Sequence, residues 1–577
     1  MSEKDKHTPS FMKSLFAGVI DQEIIFPFPK ISDEEHENLE LILQAWREFA
    51  RDMVDPVQID RDAKIPDEVM QGLKELGFFG LSIPEEYGGA GLSKVSYCRI
   101  FEEVCTIDAS IAVMLGAHAS IGTNPLLMFG TDKQKETYLP KMATGEMVAC
   151  FALTEPNAGS DAAGIQSFAR LNEKKSHFIL NGGKIWISNG GIADLATVFA
   201  KTDVMVGGEK QQKITAFLVE SKWPGFSHGK PEHKLGIRGS NTTSLNFDNV
   251  EVPVENVLGP IGKGFKVAME TLNLGRLSLA AGCVGGCKAL IHASIDYAKN
   301  RQQFGQPIAN FEMIMDKIAQ MVADTYAAES MVYLTSALAD RGDVDYSLES
   351  AICKVYSSEV LWRTVNETVQ IAGGLGYSQD YPYERYLRDA RINLIFEGTN
   401  EILRMFVALA GMQGPGEYLK RIGRALRDPI KGFGLLAEFA VEKVKDVVAK
   451  DSLKNIDPQL KSEADRFNEF AAELASLVEK SLMKYGKDIV QHEFILARIA
   501  NMAIDLFGMA AMLSRLDTDI KNGQSVDKAL PAFQLYYDRA WRRVRREARQ
   551  VENNIDDVRR EVAEHAYEVE KFPFDLF

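Results

Sequence analysis

Cysteine, histidine and net positive charge are all scarce in this chain of 577 residues. The six cysteines (Cys98, Cys105, Cys150, Cys283, Cys287, Cys353) have apolar flanks, which suits small buried hydrophobes in a reducing compartment and excludes a disulfide framework. Cys283 and Cys287 are spaced i, i+4, but no His or second Cys pair accompanies them, and the nine histidines are scattered without an H-E-x-x-H spacing; no metal site is expected. With 66 Lys+Arg against 81 Asp+Glu the net charge is −15, so nucleic acid is not an expected partner and any anionic ligand needs a local basic site. The 20 prolines and 45 glycines are too few for a fibrous or low-complexity chain. Long hydrophobic runs are missing too: the longest weakly polar one, around Leu277 to Cys287, falls short of the roughly 18 residues a membrane span requires. The start is charged and Lys13 interrupts Phe11 to Ile20, so no signal peptide is readable. A soluble intracellular protein is expected: cytoplasmic in a bacterium, or in the mitochondrial matrix or on its inner-membrane surface as a mature eukaryotic chain.

At roughly 150 residues per domain the length predicts several domain-sized units. After an N-terminal extension (1–31), helical periodicity runs over 32–146, including Glu35 to Arg51 and Pro66 to Leu76. From 147 to 257 the pattern becomes short apolar strands, and Asn181-Gly182 reads as a hairpin turn between Phe178 to Leu180 and Lys184 to Ser188. Helices return over 258–412 as an antiparallel bundle, broken at Gly305 to Pro307, Gly373 to Gly376 and Pro382. A further helical domain follows (413–577), in which Phe467, Phe470, Leu474 and Leu477 share a face and Lys487 to Arg515 is apolar nearly all round, which requires burial.

Four stretches carry residues suited to chemistry. Ala152 to Asp161 (ALTEPNAGSD) ends a strand in small residues and hydroxyls that let backbone N–H groups approach a phosphate or ring edge. Lys184 to Gly191 (KIWISNGG) sets one of only five tryptophans beside a hydroxyl. Gln370 to Tyr377 (QIAGGLGY) is a Gly-rich turn between helices, and with no βαβ unit around it a Rossmann site is not expected. In Arg391 to Arg404, Glu397 follows largely apolar residues and precedes Gly398, where loss of water would raise a carboxyl pKa towards that of a useful base. Taken singly, each also has a plain structural reading: a capped turn, a core tryptophan, a helix break, an exposed helix-start glutamate.

In this order the four stretches resemble the acyl-CoA dehydrogenase family over about Ser32 to Gly411, with both family signatures matched, at Ala152 to Gly164 and Gln370 to Asp389. Phe26 to Pro29, Leu115 to His118, Phe396 to Leu403 and the long tail are similar to its very-long-chain branch. The resemblance implies a mainly α fold with a middle β domain: an N-terminal helical domain, a β-barrel-like domain, a C-terminal four-helix bundle and the additional helical domain. It implies FAD as cofactor and conversion of a saturated acyl-CoA to its trans-2-enoyl-CoA in fatty acid β-oxidation. Glu397 would be the base, its backbone N–H and a flavin ribityl hydroxyl polarising the thioester oxygen while hydride leaves to flavin N5.

By the same resemblance Phe151, Leu153 and Thr154 border the flavin, Ser160 binds the pyrophosphate, Trp186 covers the outer face and Ser188 bonds at N5; Gly159 and Ile187 belong to that set. From a neighbouring subunit, Arg301, Phe304, Gln370, Gly373 and Gly374 hold the adenine side, with Thr399 and Glu401 completing the pocket, so a homodimer is expected. Asn273 and Arg276 contact the CoA moiety, with Gly275 and Gly398 beside the substrate. Some branches carry the base one residue before that arginine; Gly275 stands there and has no side chain, which points to Glu397. Gly116, Ala117 and Gly122 fit a lengthened acyl cavity, whereas Pro125 stands where the branch is expected to have a small residue. The expected electron acceptor is an electron-transferring flavoprotein; alternatives are an oxidase passing electrons to oxygen and a non-enzymatic assembly factor on the same fold. Tails of this kind are tied to peripheral membrane contact. Leu435 to Val448 is the amphipathic candidate, against which the basic run Arg539 to Arg549 also reads as a bundle face paired by Glu547, Glu552 and Asp556.

Overall fold

The computed structural model describes residues 8–427 and 451–576; the amphipathic candidate Leu435 to Val448 lies outside them. The chain forms two compact units, Pro29–Ile402 and a second made of Met1–Phe28 with Leu403–Phe577.

In the larger unit, helices pack against an eight-stranded mixed sheet. Helix Asp33–Met53 starts where Ser32 Oγ accepts the Glu35 N–H at 3.1 Å, and its acidic first turn suits the helix dipole. The strands are β1 (Ala149–Ala152), β2 (Phe168–Leu171), β3 (His177–Ser188), β4 (Leu195–Val206), β5 (Glu209–Glu220), β6 (Phe226–His228), β7 (Thr242–Pro253) and β8 (Val257–Leu258). Their order is β6-β7-β3-β2-β4-β5-β8, with β1 and β2 both parallel to β4 and the remaining pairs antiparallel. The hairpin expected at Asn181-Gly182 is absent. β3 runs straight through it, and Gly182 (φ +140°) forms a bulge against β7, where a Cβ would stand 2.3 Å from Ser167 Oγ. The glycine answers a close approach, not a reversal.

Beyond the sheet, helices Gly264–Asn300, Glu312–Arg341 and Ser347–Ala372 pack together with Lys94–Ile107. Helix Gly264–Asn300 is buried along most of its length; at Gly285 a Cβ would lie 2.1 Å from the Glu102 carbonyl oxygen, so the two helices touch backbone to backbone.

In the smaller unit, Phe467, Phe470, Leu474 and Leu477 are all buried on helix Lys461–Tyr485, and helix Glu493–Lys521 is buried on every side over most of its length. The N-terminal segment belongs here: Phe11, Met12, Leu15 and Phe16 are buried, and the Phe28 N–H bonds Thr518 Oγ1 at 2.7 Å. The basic run lies on helix Leu530–Glu552 and is extensively paired, with Glu547 as expected but not with Glu552 or Asp556. Arg543 bonds Asp505 at 2.6 Å and Arg546 bonds Glu547 at 2.8 Å, whereas Glu552 takes Lys480 and Asp556 takes Arg498.

One sequence expectation fails here. Ala109–Phe129, Gly264–Asn300 and Glu493–Lys521 are long and apolar enough to cross a membrane by length and composition. Scattered small and polar residues, among them Arg498, Asn501 and Asp505 in the last segment, break the runs without making the segments polar. Between 78% and 83% of each apolar window is buried inside the protein, as central bundle helices must be.

Candidate active site

A pocket, partly open to solvent, lies in the larger unit. Its walls are helix Lys94–Ile107, helix Ala109–Gly116 with the π-turn Ala117–Gly122, helix Gly264–Asn300 and the segment leading to Glu397. Gly275, Ser278, Gly282, Gly286 and Leu290 face it along one side of helix Gly264–Asn300, a stripe roughly 22 Å long at helical rise. Gly116 and Ala117 also line it. Gly122 and Pro125 do not: Gly122 faces β1, where a Cβ would be 2.8 Å from Ala149 Cβ, and Pro125 is buried in the first turn of helix Asn124–Phe129.

Glu397 stands at the end of the pocket where Gly275 and Ser188 also face inward. It and Gly398 follow one another in the left-handed region (φ +57° and +92°), a conformation costing roughly 1 kcal/mol for a residue with a Cβ. Two buried cations hold this reversal. Arg276 Nε donates to the Glu397 carbonyl at 3.2 Å, and Lys354 Nζ donates to the Gly398 carbonyl at 2.8 Å. The Glu397 carboxyl lies over Gly275, where a Cβ would meet Oε2 at 2.8 Å. Oε2 is buried without a hydrogen-bond partner, and the Glu397 N–H bonds to nothing among the described residues. Burial raises the carboxyl pKa above its ordinary value, against the smaller opposing pull of Arg276 and Lys354. Asn273 lies one turn before Arg276, and its Oδ1 accepts from Arg276 Nη1 at 3.2 Å.

On the sheet side, the Thr154 carbonyl accepts the Ile185 N–H at 3.0 Å, which joins the loop after β1 to β3 beside Trp186. Phe151, Leu153 and Ile187 are buried; Thr154 and Ser188 are half-buried; Gly159 and Ser160 are exposed on the loop. Trp186 is 60% exposed at φ +60°, an open aromatic face flanked by buried strand residues. The family's flavin fits this cradle: a flat aromatic platform, a hydroxyl at Ser188 on the pocket wall and free loop backbone at Gly159-Ser160.

The remaining expected cofactor residues lie elsewhere. Phe304 tips a short hairpin, with Gln303 paired to Gln306, positive φ at Phe304 and Gly305, and 92% exposure. Arg301, Gln370, Gly373 and Gly374 are exposed nearby, because Ile371 packs with Ala298. None of them lines the pocket. Thr399 Oγ1 accepts the Ile402 N–H at 3.3 Å and starts helix Asn400–Arg427, on whose first turn Glu401 is exposed.

Several buried charges escaped the sequence reading. Lys184, fully buried, donates to Glu155 Oε1 at 2.7 Å and to the Leu153 carbonyl at 3.1 Å; Glu155 also takes the Gln166 and Ser167 N–H groups. This pair pins the loop that carries Thr154 and Ser160, and burial lowers the Lys184 ammonium to about 8. A lysine in an otherwise apolar strand, after Leu180 and before Ile185, was the available signal. Asp108, Arg385 and Asp389 face the pocket together; burial pushes Asp108 up to about 6 and Asp389 to about 7.

An apolar pocket between helices, a glutamate facing into it and an open aromatic platform on the adjoining sheet fit a flavin-dependent enzyme with an apolar substrate. Family models agree: acyl-CoA dehydrogenase N-terminal domain over 36–146, middle domain over 150–250, C-terminal domain over 262–412, and the ACAD9/ACADV C-terminal domain over 458–571. The chain belongs to the acyl-CoA dehydrogenase family, FAD-dependent oxidoreductases. It is 44% identical over 534 residues to the mitochondrial very long-chain specific acyl-CoA dehydrogenase of Bos taurus, covering 90% of this chain and 81% of that protein. The human enzyme of that name is 44% identical, with 89% and 80% covered. Among solved structures, an acyl-CoA dehydrogenase from Bacillus anthracis complexed with FAD superposes with TM-score 0.79 at 33% identity, covering 97% of this chain and 96% of that one. Butyryl-CoA dehydrogenase from Megasphaera elsdenii gives TM-score 0.62 at 39% identity over 66% of this chain and 99% of its own.

Proposed function

We propose that this chain oxidises long-chain saturated acyl-CoA thioesters to trans-2-enoyl-CoA, with Glu397 as the general base. The observation that carries this reading is the Glu397 carboxyl, buried, unpartnered at Oε2 and poised over Gly275 at the end of an apolar pocket. A proton α to a thioester is too weakly acidic for a carboxylate unless the developing enolate is stabilised. Burial raises the base's proton affinity, and the unengaged Glu397 N–H is a donor fixed in advance for the thioester oxygen. Arg276 holds the base's carbonyl, and beside Asn273 it supplies local positive charge for the CoA moiety in a chain that is acidic overall. When bound, FAD supplies the acceptor for the β-hydrogen as hydride.

Thr154, Trp186 and Ser188 hold the flavin ring of that cofactor and Ser160 its pyrophosphate. Arg301, Phe304, Gln370 and Gly374, exposed and away from the pocket, reach the adenine side of a cofactor bound to a second copy, so the active species is a homodimer. The chain's electron acceptor is an electron-transferring flavoprotein. Preference for long chains is supported by the small residues Gly275, Ser278, Gly282 and Gly286, which line the pocket along that helix beside Leu279 and Cys283. Anaerobic mixing with acyl-CoAs from octanoyl to eicosanoyl, read as flavin bleaching, tests this: the rate rises towards the long members, and a sharp optimum at octanoyl or below contradicts the reading.

A further inference from the structure

Lys354 takes no part in the mechanism above, yet it is fully buried within helix Ser347–Ala372. Its ammonium has two hydrogen-bond acceptors, the Gly398 carbonyl and Asn400 Oδ1, both at 2.8 Å. Asn400 in turn donates to Ser358 Oγ at 3.0 Å, so the fastening returns to the helix that bears Lys354. The bonds therefore clamp the chain on the C-terminal side of Glu397, as Arg276 clamps the Glu397 carbonyl from helix Gly264–Asn300. Between these clamps lies the pair of left-handed residues, Glu397 and Gly398, whose backbone aims both the carboxyl and the free N–H.

We propose that Lys354 is a positioning residue for the dehydrogenation, holding the Glu397-Gly398 peptide so that carboxyl and N–H converge on one thioester; this rests on Glu397 being the base. A lysine suits this position because one ammonium bonds two acceptors at once and also places positive charge near a carboxylate that must stay ionised to work. The charged and titratable groups that face it are Cys283 and Arg276 from helix Gly264–Asn300, Glu397 from the loop and Glu359 from its own helix. Burial, the largest influence, lowers the ammonium to about 8, so the cation is present at neutral pH. Its loss removes one of the two cations that oppose the burial-driven rise of the Glu397 pKa. The base then protonates at higher pH.

The test compares FAD-loaded wild type, Lys354→Met and Lys354→Gln, measuring FAD content, thermal midpoint, acyl-CoA dissociation constant and the anaerobic rate of flavin reduction against pH. In Lys354→Met the reduction rate falls about 100-fold with little change in acyl-CoA affinity. The acid limb of its pH profile moves up by about one unit. Lys354→Gln, which still donates to the Gly398 carbonyl, recovers part of the rate but keeps the shifted limb. A Met variant that reduces at the wild-type rate overturns the proposal. So does an unshifted limb in whichever variants retain FAD, since a purely structural lysine changes stability without changing the proton affinity of the base. Glu397→Gln run alongside separates the two readings: if it still reduces at the wild-type rate, the assignment of the base has failed, whatever the lysine variants do.

Discussion

Glu397 occupies a backbone conformation that glycine adopts freely and other residues rarely do, and the next residue, Gly398, continues it. Strain of this kind persists only where its surroundings over-determine it, which Arg276 and Lys354 do from two separate helices. Gly275 is the complementary feature. Replacing a glycine inside a helix with alanine ordinarily adds up to about 1 kcal/mol of stability. Here the new Cβ would sit 2.8 Å from Glu397 Oε2 and 2.7 Å from Ile121 Cγ2, so it displaces the base. Gly275→Ala should therefore keep its thermal midpoint within a few degrees while losing about 100-fold in flavin reduction; an unchanged rate removes steric contact as the reason for glycine. Glu397 stood out in the sequence through the apolar residues before it and through the family resemblance, and its carboxyl is buried on the pocket wall. Its fastening was not, because Lys354 lies far away in the chain in a helix where a lysine gives no sign of pointing inward.

At the scale of elements, β3 shows what local sequence signals leave out. Asn181-Gly182 has the residues of a hairpin turn, but the strand continues because β7 supplies a ladder on both sides of the bulge. The same strand carries Lys184 inward to Glu155, with side-chain exposures of 0% and 6%. Removing one member of a buried ion pair leaves the other charge stranded at a cost of about 3–5 kcal/mol. Lys184→Met should lower stability to urea by about that amount and loosen the loop that carries Thr154 and Ser160, so that the purified protein holds less FAD. Glu155→Gln should do less harm, since its amide oxygen can still accept from Lys184 and the Ser167 N–H, with only the Gln166 N–H bond lost. Full FAD content and unchanged urea midpoint in Lys184→Met would show that the pair does not hold the cofactor loop. Several strands of the middle region were readable from periodicity, but β7, which spans Thr242–Pro253, was not. Buried charge pairs were not, because their partners are set by tertiary contact.

For the whole molecule, scarcity of positive charge turns out to be a matter of placement. Arg276 and Lys354 are buried beside Glu397, and Lys184 is buried under the loop, while the tail's arginines Arg543 and Arg546 are paired with Asp505 and Glu547. The N-terminal segment, which reads as an extension, is structurally part of the tail, with Phe11 and Phe507 rings 6.5 Å apart. That association was invisible in the sequence, since hundreds of residues separate the two. The most direct measurement is anaerobic mixing of palmitoyl-CoA with FAD-loaded wild type and Glu397→Gln, following flavin absorbance. Wild type bleaches rapidly, while Glu397→Gln retains FAD and binds the thioester but leaves the flavin oxidised over the same time. Bleaching of the Glu397→Gln enzyme at the wild-type rate would contradict the central claim.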